Sequence, residues 1–240
     1  MYRIAFALVL VLGSLVGCTA RTPLPAPTPG EVFEDAPPLV VSLSERAQAQ
    51  SSVRFTTETT MSGRTVRLEG GLLRAREGRL VALREDSVID VVSLADKGFA
   101  RTSGAAWTRH ATDDRVPGRT GMAFADVADT VDPVAVVESL GGSLLVASEA
   151  DTVNGVATHR YTVLVDLRQQ AGNVTDPEAR ARLNAAYASG FTASATVWVG
   201  PGDLPVKVEQ VLKTLEDKDF RRTVHTFTDW NADIRVVAPV

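Results

Sequence analysis

The chain has 240 residues, and its composition limits the kind of protein that it can be. Its formal net charge is −4, and no cluster of lysine and arginine stands out. A nucleic-acid partner is therefore not expected, because binding phosphates requires a basic surface. Apolar residues make up 45% of the chain and aromatic residues only 6%. About two hundred residues follow the proline-rich segment near the start, and this length is enough for one domain with a sizeable core.

The beginning of the chain has the pattern of a secretion signal. Arg3 precedes an apolar run over residues 4–12, which is shorter than the roughly 20 residues needed to span a bilayer. The run leads to Leu15-Val16-Gly17-Cys18, a bacterial lipobox, and Cys18 is the only cysteine of the chain. We predict a lipoprotein signal peptide over residues 1–17 and a diacylglyceryl anchor on Cys18. The alternative is an ordinary secreted protein with a cysteine near its cleavage site.

Residues 18–38 have the composition of a tether. Six of the twelve prolines of the chain fall in this segment, and proline favours extended conformations that do not pack into a core. The lipidated amino terminus and the tether are expected to hold one domain, residues 39–240, at the extracytoplasmic face of the cell membrane.

The domain is predicted to begin with a short helix over residues 38–50, and a two-residue apolar period then indicates strands. Residues 53–61 and 66–72 alternate in this way around Ser62-Gly63, which predicts an antiparallel hairpin. Turn residues then divide further short strands. These strands are predicted at 79–84, 88–94, 99–102 and 107–109.

Two predicted helices, at 134–140 and 178–189, interrupt the strands. An Asp-Pro pair precedes each helix and a glycine follows it, which is a consistent set of boundary signals. The whole pattern predicts about ten or eleven strands and three helices. The remaining strands are predicted at 143–149, 157–167, 191–199, 205–214 and 220–230.

The sequence offers no recognisable catalytic or metal-binding motif. His110, His159 and His225 lie far apart and lack the spacing that places two ligands on one helical face. There is no Gly-x-Ser-x-Gly elbow, and lipid would consume Cys18. We therefore expect no enzymatic activity, no cofactor and no metal.

Two further patterns have both a structural and a functional interpretation. Asp126, Asp129 and Asp132 recur every three residues, and solvated residues leading into a helix are favoured over a calcium cluster. His159 falls on the same strand face as Tyr161, and a hydrogen-bonded core histidine is favoured over a residue that contacts a ligand.

Several segments, taken in order, carry a resemblance to a known family. They are the lipobox through Cys18, the hairpin at 51–73, residues 153–163, the strands at 196–199 and 204–208, and the closing segment 229–239. In order and spacing they resemble the LppX/LprA/LprF/LprG family of actinobacterial lipoproteins. That family is related in fold to the periplasmic lipoprotein carriers of the LolA type.

The resemblance implies an α+β fold in which one strongly curved antiparallel sheet forms a half-barrel. Helices would cover the concave face around an apolar cavity that holds acyl chains. The implied function is to bind acylated lipid or lipoglycan and carry it within the cell envelope, with a membrane transporter as a further candidate partner. The alternative is a sensory or scaffolding lipoprotein that binds a protein partner.

Alternation along the strands and the helix selects the residues that would line such a cavity. Small side chains on the strands at 157–165 and 191–199 are compatible with unfilled space, although residues of this kind are more often plain core than lipid contacts. The apolar stretch 121–125, which begins with Gly121, is a candidate portal flap. The candidate lining residues are Phe55, Val66, Leu68, Tyr161, Val163, Val165, Val197, Val206 and Val208 on strands, with Val137 and Leu140 on the helix.

Overall fold

One antiparallel sheet of eleven strands organises the domain. A computed structural model describes residues 33–76, 78–86, 88–117, 122–173, 177–216 and 218–239. The sheet is curved and not closed, and a few helices accompany it, so the predicted α+β fold is confirmed. The helices are α1 (Ala36–Gln48), α2 (Val127–Val131), α3 (Pro133–Glu138), α4 (Leu167–Asn173) and α5 (Pro177–Ala188), and a short 3-10 turn covers Phe124–Asp126. The strands are β1 (Ser52–Met61), β2 (Arg64–Ala75), β3 (Gly78–Glu85), β4 (Ile89–Ser93), β5 (Gly98–Thr102), β6 (Thr108–His110), β7 (Leu144–Val153), β8 (Val156–Val165), β9 (Thr192–Val199), β10 (Pro205–Lys213) and β11 (Asp219–Thr228).

The strands form two meanders that meet in the middle of the sheet. The spatial order is β6-β5-β4-β3-β2-β1-β11-β10-β9-β8-β7. The first half of the chain therefore builds outward from β1 to β6, and the second half returns inward from β7 to β11. At the central join, Phe55 of β1 lies opposite Gly70 of β2 and Phe227 of β11.

The first hairpin forms as the sequence predicts. Ser62 and Gly63 have φ angles of 50° and 77°, the left-handed conformation that a two-residue hairpin turn requires at both positions. Met61 therefore lies opposite Arg64 at the end of β1 and β2.

Helix α1 begins earlier than predicted. It starts at Ala36, with proline in its first turn, where the fixed φ of proline suits a helix and no backbone donor is lost. Phe33, Ala36 and Leu39 are all buried. The predicted boundary between tether and domain at residue 38 therefore lies inside this helix.

The prediction of three helices is wrong, because α2 and α4 were missed. The strand predicted to reach residue 167 ends at Val165, and α4 begins at Leu167. The side chain of Asp166 accepts hydrogen bonds from the backbone N–H groups of Arg168 (2.8 Å) and Gln169 (3.2 Å). An aspartate that caps in this way supports the first turn of a helix and stops the strand.

The main core lies on the face of the sheet that carries Phe55 and Val163, here called the inner face. Leu39 and Leu43 of α1 are almost completely buried there, in one cluster with these residues and with Leu72. Helix α1 also packs against α3. The helices thus cover the inner face, and α1 contributes Leu39 and Leu43 to its core.

The opposite, outer face carries a second and smaller cluster. The segment after β11 crosses this face, and its Ile234 and Val236 pack with Val92 and Phe99. A Cβ atom at Gly71 would lie 2.8 Å from the Cγ2 atom of Ile234. Glycine at this position therefore allows the segment to lie directly on β2.

Candidate functional site

The candidate site is a cavity of about 670 Å³ between the inner face and the helices α2 and α3. It lies beside the packed core, toward the end of the sheet where the first hairpin turns at Met61. Because it opens to solvent on one side, a ligand can enter it without unfolding of the core. The residues that line it are Thr57, Thr59, Met61, Arg64, Val66, Leu68, Glu85, Met122, Asp129, Thr130, Ala135, Val136, Ser139, Gln210, Arg221, Thr223 and His225.

The floor of the cavity combines apolar and hydroxyl side chains. Thr57 Oγ1 is hydrogen-bonded to His225 Nδ1 at 3.0 Å, and Thr59 Oγ1 to Thr223 Oγ1 at 3.3 Å. Both bonds cross the central join between β1 and β11. The lining is therefore more polar than the apolar cavity that the sequence predicted, although these pairs satisfy part of one another's hydrogen-bonding capacity.

His225 is buried in this floor, and its ring is parallel to that of Phe227 at a centroid distance of 6.1 Å. Desolvation by burial lowers the pKa of His225 to about 4. The imidazole is therefore neutral at physiological pH and adds no charge to the cavity.

The helical wall is held to the sheet by Ser139 at the end of α3. Its hydroxyl donates to the carbonyl of Val136 (2.6 Å) and accepts from Gln210 Nε2 of β10 (2.9 Å). Gln170 Nε2 of α4 donates to the backbone carbonyl of Ser139 at 3.0 Å. These bonds connect α3, α4 and β10 and fix the position of the cavity wall.

The beginning of α3 is fixed by Asp132, which is only 1% exposed. Its carboxylate accepts hydrogen bonds from Arg74 (2.6 and 2.9 Å), Arg79 (3.1 Å) and the backbone N–H of Val134 (2.9 Å). Burial alone would raise the pKa of Asp132, but the bonds and charge of Arg74 and the bonds from Val134 and Arg79 lower it below its ordinary value.

The prediction of three solvated aspartates is therefore wrong for one of them. Asp126 and Asp129 are exposed, whereas Asp132 is a buried ion-pair partner. The Asp-Pro pair predicted the helix cap correctly, and the side chain of Asp132 does accept from Val134. The two arginines come from β2 and β3, more than fifty residues earlier in the chain, and no local pattern pointed to them.

The predicted lining residues separate into two groups. Val66 and Leu68 line the cavity. Val165 is half-buried against the core, and Val206 is half-buried at a register shift of β10. The contact of all these residues with lipid stays a prediction, as does lipidation of Cys18, which lies outside the described residues. The others lie in the packed core: Phe55, Tyr161, Val163, Val197, Val208, Val137 and Leu140.

The structure also shows which lining residues the sequence analysis missed. Thr57 and Thr59 share the strand face of Phe55 and Met61, so alternation did place them on the inner face. They were not selected because the candidates were chosen for hydrophobicity. Gln210 follows the selected Val208 on the same face of β10 and was passed over for the same reason. No residue of β11 was selected, and Arg221 reaches this place because β11 pairs with β1.

Part of the candidate portal flap is anchored in the core, and the candidate core histidine is only half-buried. Phe124 is fully buried, and its carbonyl accepts from the Ser93 hydroxyl at 2.9 Å, so this part of the flap is anchored. Met122 lines the cavity, and Gly121 lies outside the described residues. His159 is half-buried and is hydrogen-bonded to Ser148 Oγ at 2.7 Å.

The described ranges contain neither a membrane-spanning helix nor a metal-ligand cluster. No helix there is long and apolar enough to cross a membrane. Within the same ranges, no group of three or more His, Cys, Asp or Glu side chains is placed to hold a metal ion.

Comparison with solved structures identifies the fold. LprF from Mycobacterium bovis superposes with a TM-score of 0.53 at 13% identity, over 88% of this chain and 99% of LprF. The lipoprotein LppX from Mycobacterium tuberculosis gives a TM-score of 0.41 at 12% identity, over 84% of this chain and 99% of LppX. No protein-family model and no curated protein matches the sequence. The likeness to LprF shows that the chain has the fold that its sequence resembles.

Proposed function

We propose that the chain is a lipoprotein, anchored through Cys18 to the extracytoplasmic face of the cell membrane, that binds acylated lipid or lipoglycan and carries it within the envelope. The observation that carries this proposal is the cavity of about 670 Å³ on the inner face of a fold shared with LprF. Cavities that bind small ligands commonly have volumes of about 300–1,000 Å³. The proposed role is non-catalytic.

The cavity lining supports an amphiphilic ligand. Met61, Met122, Val66 and Leu68 offer apolar contacts, and burial of each methylene of an acyl chain contributes ~0.8 kcal/mol. Methionine side chains adapt to ligands of variable shape because they are unbranched and flexible. The hydroxyl of Thr59 and other polar groups would contact the ester or headgroup region. Loading and release would take place through the open side of the cavity.

A second candidate function is a scaffold that binds a protein partner, and strand β7 favours it. This strand of ten residues lies at the edge of the sheet, and Leu144 and Val146 are 66% and 49% exposed. An edge strand with apolar side chains can pair with an extended segment of another protein. Native mass spectrometry of the protein purified from its own host distinguishes the two, because only the first function requires copurified lipid.

The proposed function is tested by filling the cavity in one variant and the core in another. Val66→Trp places an indole in the cavity, so we expect the melting temperature to be kept and retained lipid to be lost. Val163 is 1% exposed and lies in the packed core, so Val163→Trp should lower stability by about 1–3 kcal/mol through overpacking. Mass spectrometry of extracted lipid and thermal unfolding measure the two effects.

Thr65→Trp is the control for the added indole, because Thr65 is the exposed neighbour of Val66 on the same strand. It should keep both stability and lipid. If Val66→Trp retains as much lipid as the wild type and Thr65→Trp, the cavity is not the lipid site and the proposal fails.

A further inference from the structure

Two arginines stand on either side of Met61 at one end of the cavity. Met61 lies opposite Arg64 on β2 and opposite Arg221 on β11, and all three residues line the cavity. Because neighbouring strands are about 5 Å apart, the two arginine backbones are separated by roughly 10 Å. Both long side chains can therefore reach one small anion between them.

These two arginines are unlike their neighbours on the same strands. Arg67 forms ion pairs with Glu58 and Glu69, and Arg222 with Glu209 at 2.9 Å. Across the described part of the chain, neither Arg64 nor Arg221 has an ion pair or a side-chain hydrogen bond. Their guanidinium donors are thus available to a ligand.

The surroundings of Arg221 favour a bound anion. Although water reaches this residue, desolvation by the surrounding protein lowers its pKa, and the positive charge of Arg182 on α5 lowers it further. A guanidinium stays charged despite this lowering of its pKa. A bound anion would stabilise the positive charge of Arg221, because it would offset both the partial desolvation and the repulsion by Arg182.

The two carboxylates that also line the cavity do not neutralise this end of it. Asp129 is paired with Arg79 at 2.6 Å. Glu85 lies opposite Leu68, four positions along β2 from Arg64, which corresponds to about 13 Å along the strand.

We propose that Arg64 and Arg221 form the binding site for an anionic headgroup, of the phosphate ester type, of the lipid that the cavity holds. Bidentate hydrogen bonding makes arginine well suited to phosphate oxygens. Met61, which is 49% exposed between the two arginines, would contact the beginning of the acyl chains, and Val66 and Leu68 would contact their continuation. A charged lipid makes both the hydrogen bonds to the arginines and the apolar contacts with the acyl chains, whereas free phosphate makes only the hydrogen bonds. This inference rests on the proposed function and specifies its ligand class.

The experiment measures binding to the full-length protein, purified in a non-ionic detergent, by isothermal titration calorimetry. The probes are dioctanoyl phosphatidylglycerol, dioctanoylglycerol with the same acyl chains but no charge, and inorganic phosphate. The test variant is the double substitution Arg64→Gln and Arg221→Gln. The control is Arg222→Gln, which removes the neighbouring arginine whose partner is Glu209.

We expect the double variant to bind the phosphatidylglycerol at least tenfold more weakly than the wild type and the Arg222→Gln control. Its affinity for dioctanoylglycerol should be unchanged, and its melting temperature should be equal or higher, because two unpaired positive charges have been removed. Free phosphate should bind the wild type much more weakly than the charged lipid.

Three results would overturn the inference. If both lipids bind the wild type and the double variant equally, the arginines do not hold a headgroup, although the lipid-binding function stands. If free phosphate binds as tightly as the charged lipid and depends on the arginines, the site is for a free anion. If neither lipid binds the wild type, the proposed function itself fails and the inference fails with it.

Discussion

At the scale of single residues, His225 couples the stability of the fold to pH. Its pKa is about 4 in the folded protein and 6.5 in an ordinary setting, so between these values the unfolded chain binds a proton that the folded protein does not. Stability therefore falls as the pH falls through this window. From pH 7 to pH 5 we expect the loss due to His225 to be about 2 kcal/mol, measured by urea unfolding.

The variant His225→Gln isolates this effect. It should lose about 2 kcal/mol less than the wild type over the same pH interval. Identical pH dependence in the wild type and His225→Gln would contradict the burial of a neutral ring.

Asp132 provides a second test at this scale. Asp132→Asn keeps an oxygen that can accept from the Val134 N–H but leaves Arg74 and Arg79 without their buried counter-charge. Breaking a buried ion pair in this way costs about 3–5 kcal/mol. Asp129→Asn, in which the carboxylate is 58% exposed, should cost about 0–1 kcal/mol. Chemical unfolding of both variants measures the difference, and equal losses would exclude the buried role of Asp132.

At the scale of elements, short sequence patterns predicted the hairpins and helices that contacts between nearby residues determine. The first hairpin follows from alternation and from Ser62-Gly63, and α3 follows from its Asp-Pro start. Helix α4 was missed because Asp166 is a cap without an adjacent proline and follows a strand of apolar residues. The pairing of β1 with β11 joins segments about 170 positions apart, which alternation within either strand does not encode.

The division between core and cavity could not be predicted for a related reason. Val66 and Val163 have the same residue type and the same strand periodicity, yet the first lines the cavity and the second is packed. What differs is the surroundings: Val163 belongs to the core cluster that contains Leu39 and Leu43 of α1, whereas Val66 lies in a cavity that Ala135 and Val136 of α3 also line. The space left between the sheet and the helices depends on how the whole fold assembles, so the pattern of one strand cannot predict it.

The segment after β11 is a structural element although it has no regular secondary structure. Ile234 is 9% exposed and packs on the outer face against Val92 and Phe99. Ile234→Ala should therefore lower stability by about 2–5 kcal/mol. Val237→Ala, at a position that is 70% exposed, should change it by less than about 0.5 kcal/mol. Equal thermal unfolding of the two variants would show that the segment does not stabilise the sheet.

At the scale of the whole molecule, the proposed function depends on where the protein is held. Cys18→Ala removes the only thiol of the chain, so no other residue can accept a diacylglyceryl group. We expect metabolic labelling with a fatty acid to mark the wild type and not the variant, which should remain unprocessed or be released from the membrane. Labelling of Cys18→Ala would disprove the lipoprotein assignment.

The central join of β1 and β11 also determines when folding can be completed. Hairpins within β1–β6 and within β7–β11 close over short stretches of chain, and such local contacts form fast. The bond between Thr57 and His225, 168 positions apart, must wait until nearly the whole chain has been synthesised. During that interval β1 presents an unpaired edge, which is a template for association with other chains. A chaperone that holds the chain unfolded until β11 is available would therefore protect the protein from aggregation.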